Sequence, residues 1–209
     1  MFGIPLGDDG TELRPLEPWH AEEFLAHIER GREFIGRHVG LADANRDLES
    51  ARAFLTAYAQ KTATDTGRIL GIRTAEGTLV GGVLLRTMDV AQGTAEAGCW
   101  LEPAAVGRGL VTRAVRVLID WAVEERGLHR VEWQVPSANE PSIAVARRLG
   151  MTKEGVLREM FLYRGERTDI EVWSVLAPEW RAARAAERAA GSDHRGAGRE
   201  PVDADPFSA

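Results

Sequence analysis

Cysteine and long apolar runs are both scarce in this sequence. The single cysteine, Cys99, cannot form an internal disulfide, which suits a reducing cytoplasm. No apolar run approaches the roughly 18 residues of a membrane-spanning helix, and the N-terminal MFGIPLGDDG has neither the basic flank nor the apolar segment of a signal peptide. We therefore expect a soluble, cytoplasmic protein with no membrane partner.

Basic charge is not in excess either. The 26 Lys and Arg residues are outnumbered by 32 Asp and Glu residues, which gives a net charge of −6. A negative chain repels phosphate backbones, and the sequence has no Lys/Arg cluster interleaved with aromatic residues that would overcome this repulsion. The five histidines are scattered and do not form a metal-ligand spacing with the one cysteine. The sequence thus predicts neither a nucleic-acid partner nor a metal site.

The chain has enough apolar residues for one folded domain. Of its 209 residues, 44% are hydrophobic, including six Trp and six Phe, and this length fits one domain with a tail. Composition changes after Trp180: RAARAAERAA can extend a helix, whereas the remainder is small, charged and broken by Gly and Pro. We predict a domain over 1–180 and a tail over 181–209 that is partly helical and then disordered.

Strand and helix patterns alternate through the predicted domain. The expected order is β, α, α, β, β, β, α, β, α, β, β, beginning with a short strand in TELRPLEP. Trp19, Phe24 and Ile28 lie at a helical spacing and predict the first helix. The strands over 94–101 and 130–136 should be parallel, because a long helix connects them. These elements predict a mixed α/β fold.

The turn before that long helix contains Gly107-Arg108-Gly109. A strand that passes directly into a helix leaves the first backbone N–H groups unpaired, and two glycines there leave room for a phosphate. The pair could equally form only a tight turn. The dinucleotide fingerprint fails because Thr112 replaces its third glycine, and the Gly-Lys-Ser/Thr of a Walker loop is absent. A third interpretation is a site for the pyrophosphate of coenzyme A.

Three motifs in the second half decide between these alternatives. GCWLEPAAVGRGLVTRAVRVLIDWA, SANEPSIAVARRLGMTKEGVLRE and YRGERTDIEVWSVL follow one another in this order. At this spacing the sequence resembles the GNAT superfamily of N-acetyltransferases and, within it, the RimJ/RimL-type branch that acetylates ribosomal-protein N-termini. The resemblance implies the GNAT fold, in which helices flank a central twisted, mostly antiparallel sheet with one splayed parallel strand pair. It also implies an acyl-CoA-dependent N-acyltransferase, with acetyl-CoA as co-substrate.

The resemblance also implies how the coenzyme is held. The loop from Val106 to Thr112 would wrap the pyrophosphate with backbone amides, although Val106 and Val111 depart from the family pattern. The backbone of the splayed strand and the helix opening NEPS would contact the pantetheine arm. The implied coenzyme-binding residues are Trp100, Leu101, Val106, Gly107, Arg108, Gly109, Leu110, Val111, Thr112, Asn139 and Ser142.

The chemistry requires a neutral amine and a stabilised leaving thiolate. Many superfamily members use a tyrosine acid at a position that is Ala146 here, so the resemblance leaves Ser142 to donate to the departing sulfur. We expect Glu96 to be the general base, directly or through water; its alternative role is a salt-bridged strand carboxylate. His38 is a weaker candidate, and Cys99 should serve packing.

The acceptor and the assembly stay open at this point. Acidic and basic residues alternate in the segments that set substrate choice in this branch, so a peptide N-terminus and a small-molecule amine are both compatible with the sequence. Homodimers occur in the branch. Because Val106, Val111 and Ala146 depart from the family pattern, a CoA-binding regulatory protein with lost turnover is the main alternative to an enzyme.

Overall fold

The computed structural model describes the backbone of residues 3–196 and the side chains of residues 3–190. Short 3₁₀ turns at Pro18–His20 and Pro103–Ala105 and a π-helical turn at Trp121–Glu125 connect the regular elements. These elements are β1 (Ile4–Pro5), β2 (Glu12–Pro15), α1 (Ala21–Ile35), α2 (Leu41–Ala44), α3 (Leu48–Ala63), β3 (Arg68–Arg73), β4 (Leu79–Asp89), β5 (Thr94–Leu101), α4 (Leu110–Asp120), β6 (Arg130–Pro136), α5 (Glu140–Arg148), β7 (Thr152–Tyr163), β8 (Glu166–Leu176) and α6 (Ala177–Gly196).

The eight strands form one sheet in the order β1-β2-β3-β4-β5-β6-β8-β7. Neighbouring strands are antiparallel except for β5 and β6, which are parallel. The parallel pair follows from the chain path, since α4 carries the chain back across the sheet between these two strands. The predicted mixed α/β architecture with one parallel pair is therefore confirmed.

Helices cover the sheet on both faces. On one face α4 packs its apolar stripe, including Ala114, Val115 and Leu118, into a buried cluster that also receives residues of α5 and α6. On the other face α1 and α3 bury Phe24 and Leu55 in a second cluster with β3 and β4 residues. Each of these helices therefore buries an apolar face against the sheet. None of the described helices combines the length and apolarity that a membrane span requires.

The N-terminal region differs from expectation in two places. The first predicted strand is shorter, with only Glu12–Pro15 in the sheet, and β1 pairs with it as an additional edge strand. Trp19 is outside α1 and 76% exposed, because it lies in a separate turn that begins at Pro18. Proline favours the first position of such a turn, since its fixed φ matches and its missing N–H is not needed there.

The C-terminal helix starts before the predicted domain boundary. α6 begins at Ala177, and the Trp180 ring is buried while its Nε1 donates to Asp120 Oδ1 over 2.8 Å. The first part of the predicted tail therefore continues a helix that is packed on the domain. The segment expected to be disordered begins at Gly191, whereas α6 continues to Gly196. Residues from 197 onward lie outside the described residues, so the division at 180 stays a prediction.

Candidate active site

The parallel strands β5 and β6 separate part-way along their length. Their paired residues run from Thr94–Arg130 to Ala97–Trp133. Beyond this point β5 continues to Leu101 against β4, and β6 continues to Pro136 against β8. Residues 98–101 and 134–136 therefore present facing backbone edges without pairing to each other, and we call the space between them the gap. Backbone groups at such an edge need hydrogen-bond partners, which an extended ligand with amide groups can supply.

The glycine turn lies at the start of α4. It follows β5 in the sequence, so it is adjacent to the gap between β5 and β6. Gly107 and Gly109 have φ of 85° and 69°, in the left-handed region that favours glycine. A Cβ built on either residue meets no atom within 4 Å, so the space above the turn is open. Gly109 caps α4 and has no side chain to pair with the first helical N–H groups. Those groups and the helix dipole suit an anion.

The side chains that follow the turn point into the core. Leu110 is buried, and Val111 packs partly buried against the same cluster as α4. Val106 is 53% exposed, before the turn. The two valines that depart from the family pattern therefore leave the open face of the turn clear. At the open face of the turn, Leu110 and Val111 offer a ligand only their backbone N–H groups. Thr112 is half-buried beside them.

Two cations flank the glycine turn, and one acidic residue pairs with both. Asp9, in the loop between β1 and β2, places Oδ2 3.1 Å from Arg113 Nη2 and 3.6 Å from Arg108 Nη2. Hydrogen bonds from Thr11, together with the charge of Arg113, lower the pKa of Asp9, so its carboxylate is ionised at neutral pH. Sequence reasoning selected Arg108 but missed Arg113, which lies one helical turn beyond Gly109.

The second predicted anchor is the start of α5. Asn139 caps this helix, with Oδ1 accepting from the Ser142 backbone N–H at 3.3 Å. The Ser142 hydroxyl accepts a hydrogen bond from Trp133 Nε1 at 3.0 Å. Trp133 is buried and lies at the last position where β6 pairs with β5. This contact therefore holds Ser142 near the point where the gap opens. Ala146, the position of the family tyrosine, is fully buried.

The Trp133 contact leaves the hydroxyl proton of Ser142 free for another partner. An indole N–H only donates, so Ser142 Oγ must be the acceptor in this bond. A hydroxyl that accepts one hydrogen bond still has its own O–H to donate. The serine is thus fixed in place by one contact and retains a donor. Nothing in the sequence pattern links Trp133 to Ser142, so its role was missed.

Glu96 lies on the α1/α3 face of β5, two residues before the gap. Its Oε1 is 3.0 Å from Arg86 Nε, and its side chain is 17% exposed. Burial raises the pKa of Glu96, Arg86 opposes this rise, and the charge of Glu132 adds to it. Glu132 stands opposite Glu96 in the parallel register. Both roles considered for Glu96, proton acceptor and salt-bridged carboxylate, are therefore compatible with its surroundings.

Three other predicted positions have clear structural roles. The Trp100 ring is buried in the α1/α3 cluster, so only its backbone faces the gap, whereas Leu101 packs against the α4 cluster. Burial raises the pKa of the Cys99 thiol to about 12, which keeps it protonated and suits packing. His38 lies between α1 and α2, where burial lowers its pKa. Among the described residues, no group of three or more His, Cys, Asp or Glu side chains could hold a metal ion.

Comparison with known proteins adds relatives over most of the chain. Residues 11–152 match the family model described as an acetyltransferase (GNAT) domain. The chain is 34% identical over 170 residues to the probable N-acetyltransferase YjcK of Bacillus subtilis (strain 168), covering 80% of this chain and 94% of YjcK. It is 29% identical over 180 residues to the putative ribosomal N-acetyltransferase YdaF of the same organism, covering 86% of this chain and 98% of YdaF.

A solved structure extends this similarity to the fold. The ribosomal L7/L12 alpha-N-protein acetyltransferase RimL, in complex with coenzyme A, superposes with a TM-score of 0.79. Its sequence identity is 17%, and the match covers 84% of this chain and 98% of that one. The splayed parallel pair, the glycine turn and the family match agree with one another. The chain belongs to the GNAT family of acetyltransferases.

Proposed function

We propose that this protein transfers the acetyl group of acetyl-CoA directly to a primary amine within a ternary complex. One observation carries the proposal: the gap between β5 and β6 has two free backbone edges, and it lies between the glycine turn and Ser142. A ligand that has a phosphate end, an amide-containing arm and a reactive sulfur matches this series of sites. Coenzyme A has these three parts in that order.

The described residues fit the coenzyme, because the space above the glycine turn is open. The N–H groups from Gly107 to Thr112 would hold the pyrophosphate, supported by Arg108 and Arg113. The backbone of Trp100 and Leu101, with the Asn139 side chain, would contact the pantetheine arm. Acetyl-CoA supplies an activated thioester carbonyl and a thiol as leaving group.

Ser142 is proposed to stabilise the sulfur as the acetyl group leaves. Trp133 fixes the oxygen of the hydroxyl, which orients its proton away from the indole. A hydrogen bond to a developing negative charge is stronger than one between neutral groups. The position of the usual family tyrosine is Ala146, which has no proton to give. The serine is therefore the donor that this chain offers at the start of α5.

Glu96 is proposed to accept the proton that the acceptor ammonium must lose. Its raised pKa makes it a better base than an exposed carboxylate. The neighbouring Glu132 adds negative charge on the same side of the sheet and would attract a cationic amine. Arg86 restrains Glu96 through one oxygen and leaves the other oxygen available.

A protein N-terminus is the acceptor class that the comparisons favour. YdaF is described as a putative ribosomal N-acetyltransferase, and RimL is described as acting on the alpha-amino group of a ribosomal protein. We infer the same class for this chain. Small-molecule amines are the competing class, and the first experiment is designed to separate the two.

The test measures thiol release from acetyl-CoA with a panel of amines. The panel contains ribosomal N-terminal peptides, free amino acids, polyamines and aminoglycosides, and mass spectrometry identifies the acetylated product. We expect release with peptides that carry a free N-terminus and none with the same peptides after chemical blocking. Release with a small amine alone would replace the proposed acceptor. Tight CoA binding without any release would instead favour the regulatory CoA-binding alternative.

A further inference from the structure

A hydrogen-bonded chain of polar side chains, mostly buried, lies at the end of β5, and it joins Trp100 to residues that have not been used so far. Trp100 Nε1 donates to His27 Nε2 at 3.0 Å, and His27 Nδ1 lies 3.2 Å from Glu102 Oε2. Arg30 also contacts Glu102 Oε2, with Nε at 3.2 Å, and its Nη2 donates to the carbonyl oxygen of Leu79 at 2.7 Å. His27 is fully buried and Glu102 is 7% exposed. Polar groups this deeply buried are retained only when they are paired.

The partners determine where the imidazole proton lies. Because the indole N–H of Trp100 can only donate, His27 Nε2 must be unprotonated and act as acceptor. The neutral imidazole then has its hydrogen on Nδ1, where the Glu102 carboxylate accepts it. Burial lowers the pKa of His27, which agrees with a neutral ring, although Glu102 opposes this effect. Arg30 balances the charge of Glu102. Each hydrogen bond from the Arg30 guanidinium, through Glu102 and His27, to the Trp100 indole therefore has a defined donor and acceptor.

Packing holds the indole in the same place. A side chain at Gly82 of β4 would overlap the Trp100 ring, and a Cβ at Gly81 would come within 2.6 Å of the Trp100 carbonyl oxygen. The Phe24 ring meets Trp100 edge-on, with centroids 6.0 Å apart. The two adjacent glycines thus leave room on β4 for the Trp100 ring and for close approach to the residues that border the gap. The ring is fixed by this packing, and its one polar atom is fixed by His27.

These hydrogen-bonded side chains lie beside the free edge of β5, and this position indicates their function. Residues 98–101 have β4 on one side and no strand on the other, because β6 has already diverged. We propose that His27 and Glu102 are positioning residues: through Trp100 they hold the free edge of β5 at the spacing that the amide groups of the pantetheine arm require. This inference rests on the proposed function, since it assigns the coenzyme to that edge. Neither side chain needs to touch the coenzyme.

The test compares variants that keep or remove the hydrogen-bonding groups of His27. His27→Gln retains an acceptor and a donor, whereas His27→Leu has neither. We expect the Kd for CoA and the KM for acetyl-CoA to rise about tenfold in His27→Leu, about 1.4 kcal/mol, with kcat changed less than about threefold. His27→Gln should recover most of the loss. Leu55→Ala, in the same α1/α3 cluster, controls for a general loss of stability.

Two further measurements keep the outcome interpretable. Trp100→Phe removes the indole N–H and keeps an aromatic ring, so it replaces His27→Leu if that variant fails to fold. Isothermal titration with CoA is done well below each unfolding temperature. Wild-type affinity in both His27→Leu and Trp100→Phe would overturn the inference, and so would equal impairment of His27→Gln and His27→Leu. Failure of the wild-type protein to bind CoA would overturn the proposed function as well. This outcome differs from failure of the inference alone, in which the wild-type protein binds CoA and the variants bind it equally well.

Discussion

At the α4 end of the gap the groups offered to a ligand are backbone N–H groups, whereas at the Glu96 end they are side-chain carboxylates and their partners. The first set is held by the glycine conformations and the helix itself. The second is held by contacts between strands and helices, such as Arg86 with Glu96. A backbone site should tolerate exchange of neighbouring side chains, and we expect this for Val106 and Val111. Side-chain sites depend on each partner.

The largest effect should come from closing the backbone site at Gly109. In Gly109→Asp, a negative charge lies where the pyrophosphate should bind, and like charges brought together cost several kcal/mol. We expect the Kd for CoA to rise at least about 100-fold, or about 2.7 kcal/mol. Titration calorimetry measures this change.

Two control variants separate charge from backbone strain. Gly109→Asn has nearly the same shape without the charge and should lose much less affinity. Gly127→Asp introduces the same residue at another left-handed glycine, with φ of 68° and open space around its Cβ, beyond the far end of α4. It should bind CoA like the wild-type protein. If Gly109→Asp also retains wild-type affinity, the coenzyme site is wrongly placed.

The second largest effect should follow from loss of the Ser142 hydroxyl. We expect Ser142→Ala to lower kcat by about 10- to 100-fold, the range of one hydrogen bond to a charged group, with CoA affinity nearly unchanged. Steady-state kinetics and CoA titration measure the two quantities separately. An unchanged kcat would remove Ser142 from the mechanism.

Ser142→Ala also leaves the buried Trp133 N–H without its acceptor, which costs about 1–3 kcal/mol of stability. The double variant Ser142→Ala/Trp133→Phe removes both members of the contact. It should recover part of the stability and none of the turnover. Ser137→Ala, at the end of β6, is the matched control for loss of a nearby hydroxyl.

How far the sequence predicts these two ends depends on the distance between partners along the chain. The glycine turn, the Asn139 cap and the parallel pair follow from local pattern and from the length of the connection, and all three are observed. The partner of Ser142 is nine residues away, and that of Trp100 is 73 residues away. Such contacts arise only when the sheet is assembled, so no local signal identifies them.

The same limit explains what was missed near the phosphate site. Arg113 and Asp9 are 104 residues apart, and their pairing depends on the β1–β2 loop that local pattern did not predict. Exposure of Trp19 was missed because the helical spacing continues across the break between the first turn and α1. Periodicity identifies a helix here but does not locate its first residue.

A comparable effect is expected at the side-chain end of the gap. Glu96 accepts a proton only when ionised, so wild-type kcat/KM should fall as the pH drops through its raised pKa. Glu96→Gln should lose about 100-fold at neutral pH, the lower end of the range for a general base, and should lack this acidic limb. A pH series of kcat/KM with the best acceptor measures both effects. Unchanged turnover and profile would leave Glu96 only its salt bridge.

Stability gives an independent check on the same variant. A carboxylate whose folded pKa is raised contributes stability below its unfolded pKa and loses that contribution as the pH rises through the folded pKa. Glu96→Gln should therefore gain stability relative to the wild-type protein as the pH rises towards neutral. Activity would be lost without loss of fold. Glu132→Gln, opposite Glu96 in register, should retain the acidic limb but shift it to lower pH, because the charge of Glu132 no longer raises the pKa of Glu96.

The smallest effect is expected at Asp9. Its side chain competes with the coenzyme phosphates for the two cations beside the backbone site. Asp9 pairs with Arg108 and Arg113 beside the glycine turn, and these pairs must loosen when phosphates approach the same cations. Exposed ion pairs are weak, so Asp9→Asn should tighten CoA binding by only about two- to fivefold. The gain should shrink at high salt. Asp8→Asn changes the net charge equally at the adjacent residue and should gain less; equal gains from both variants would mean that general charge, and not the Asp9 pairs, sets the affinity.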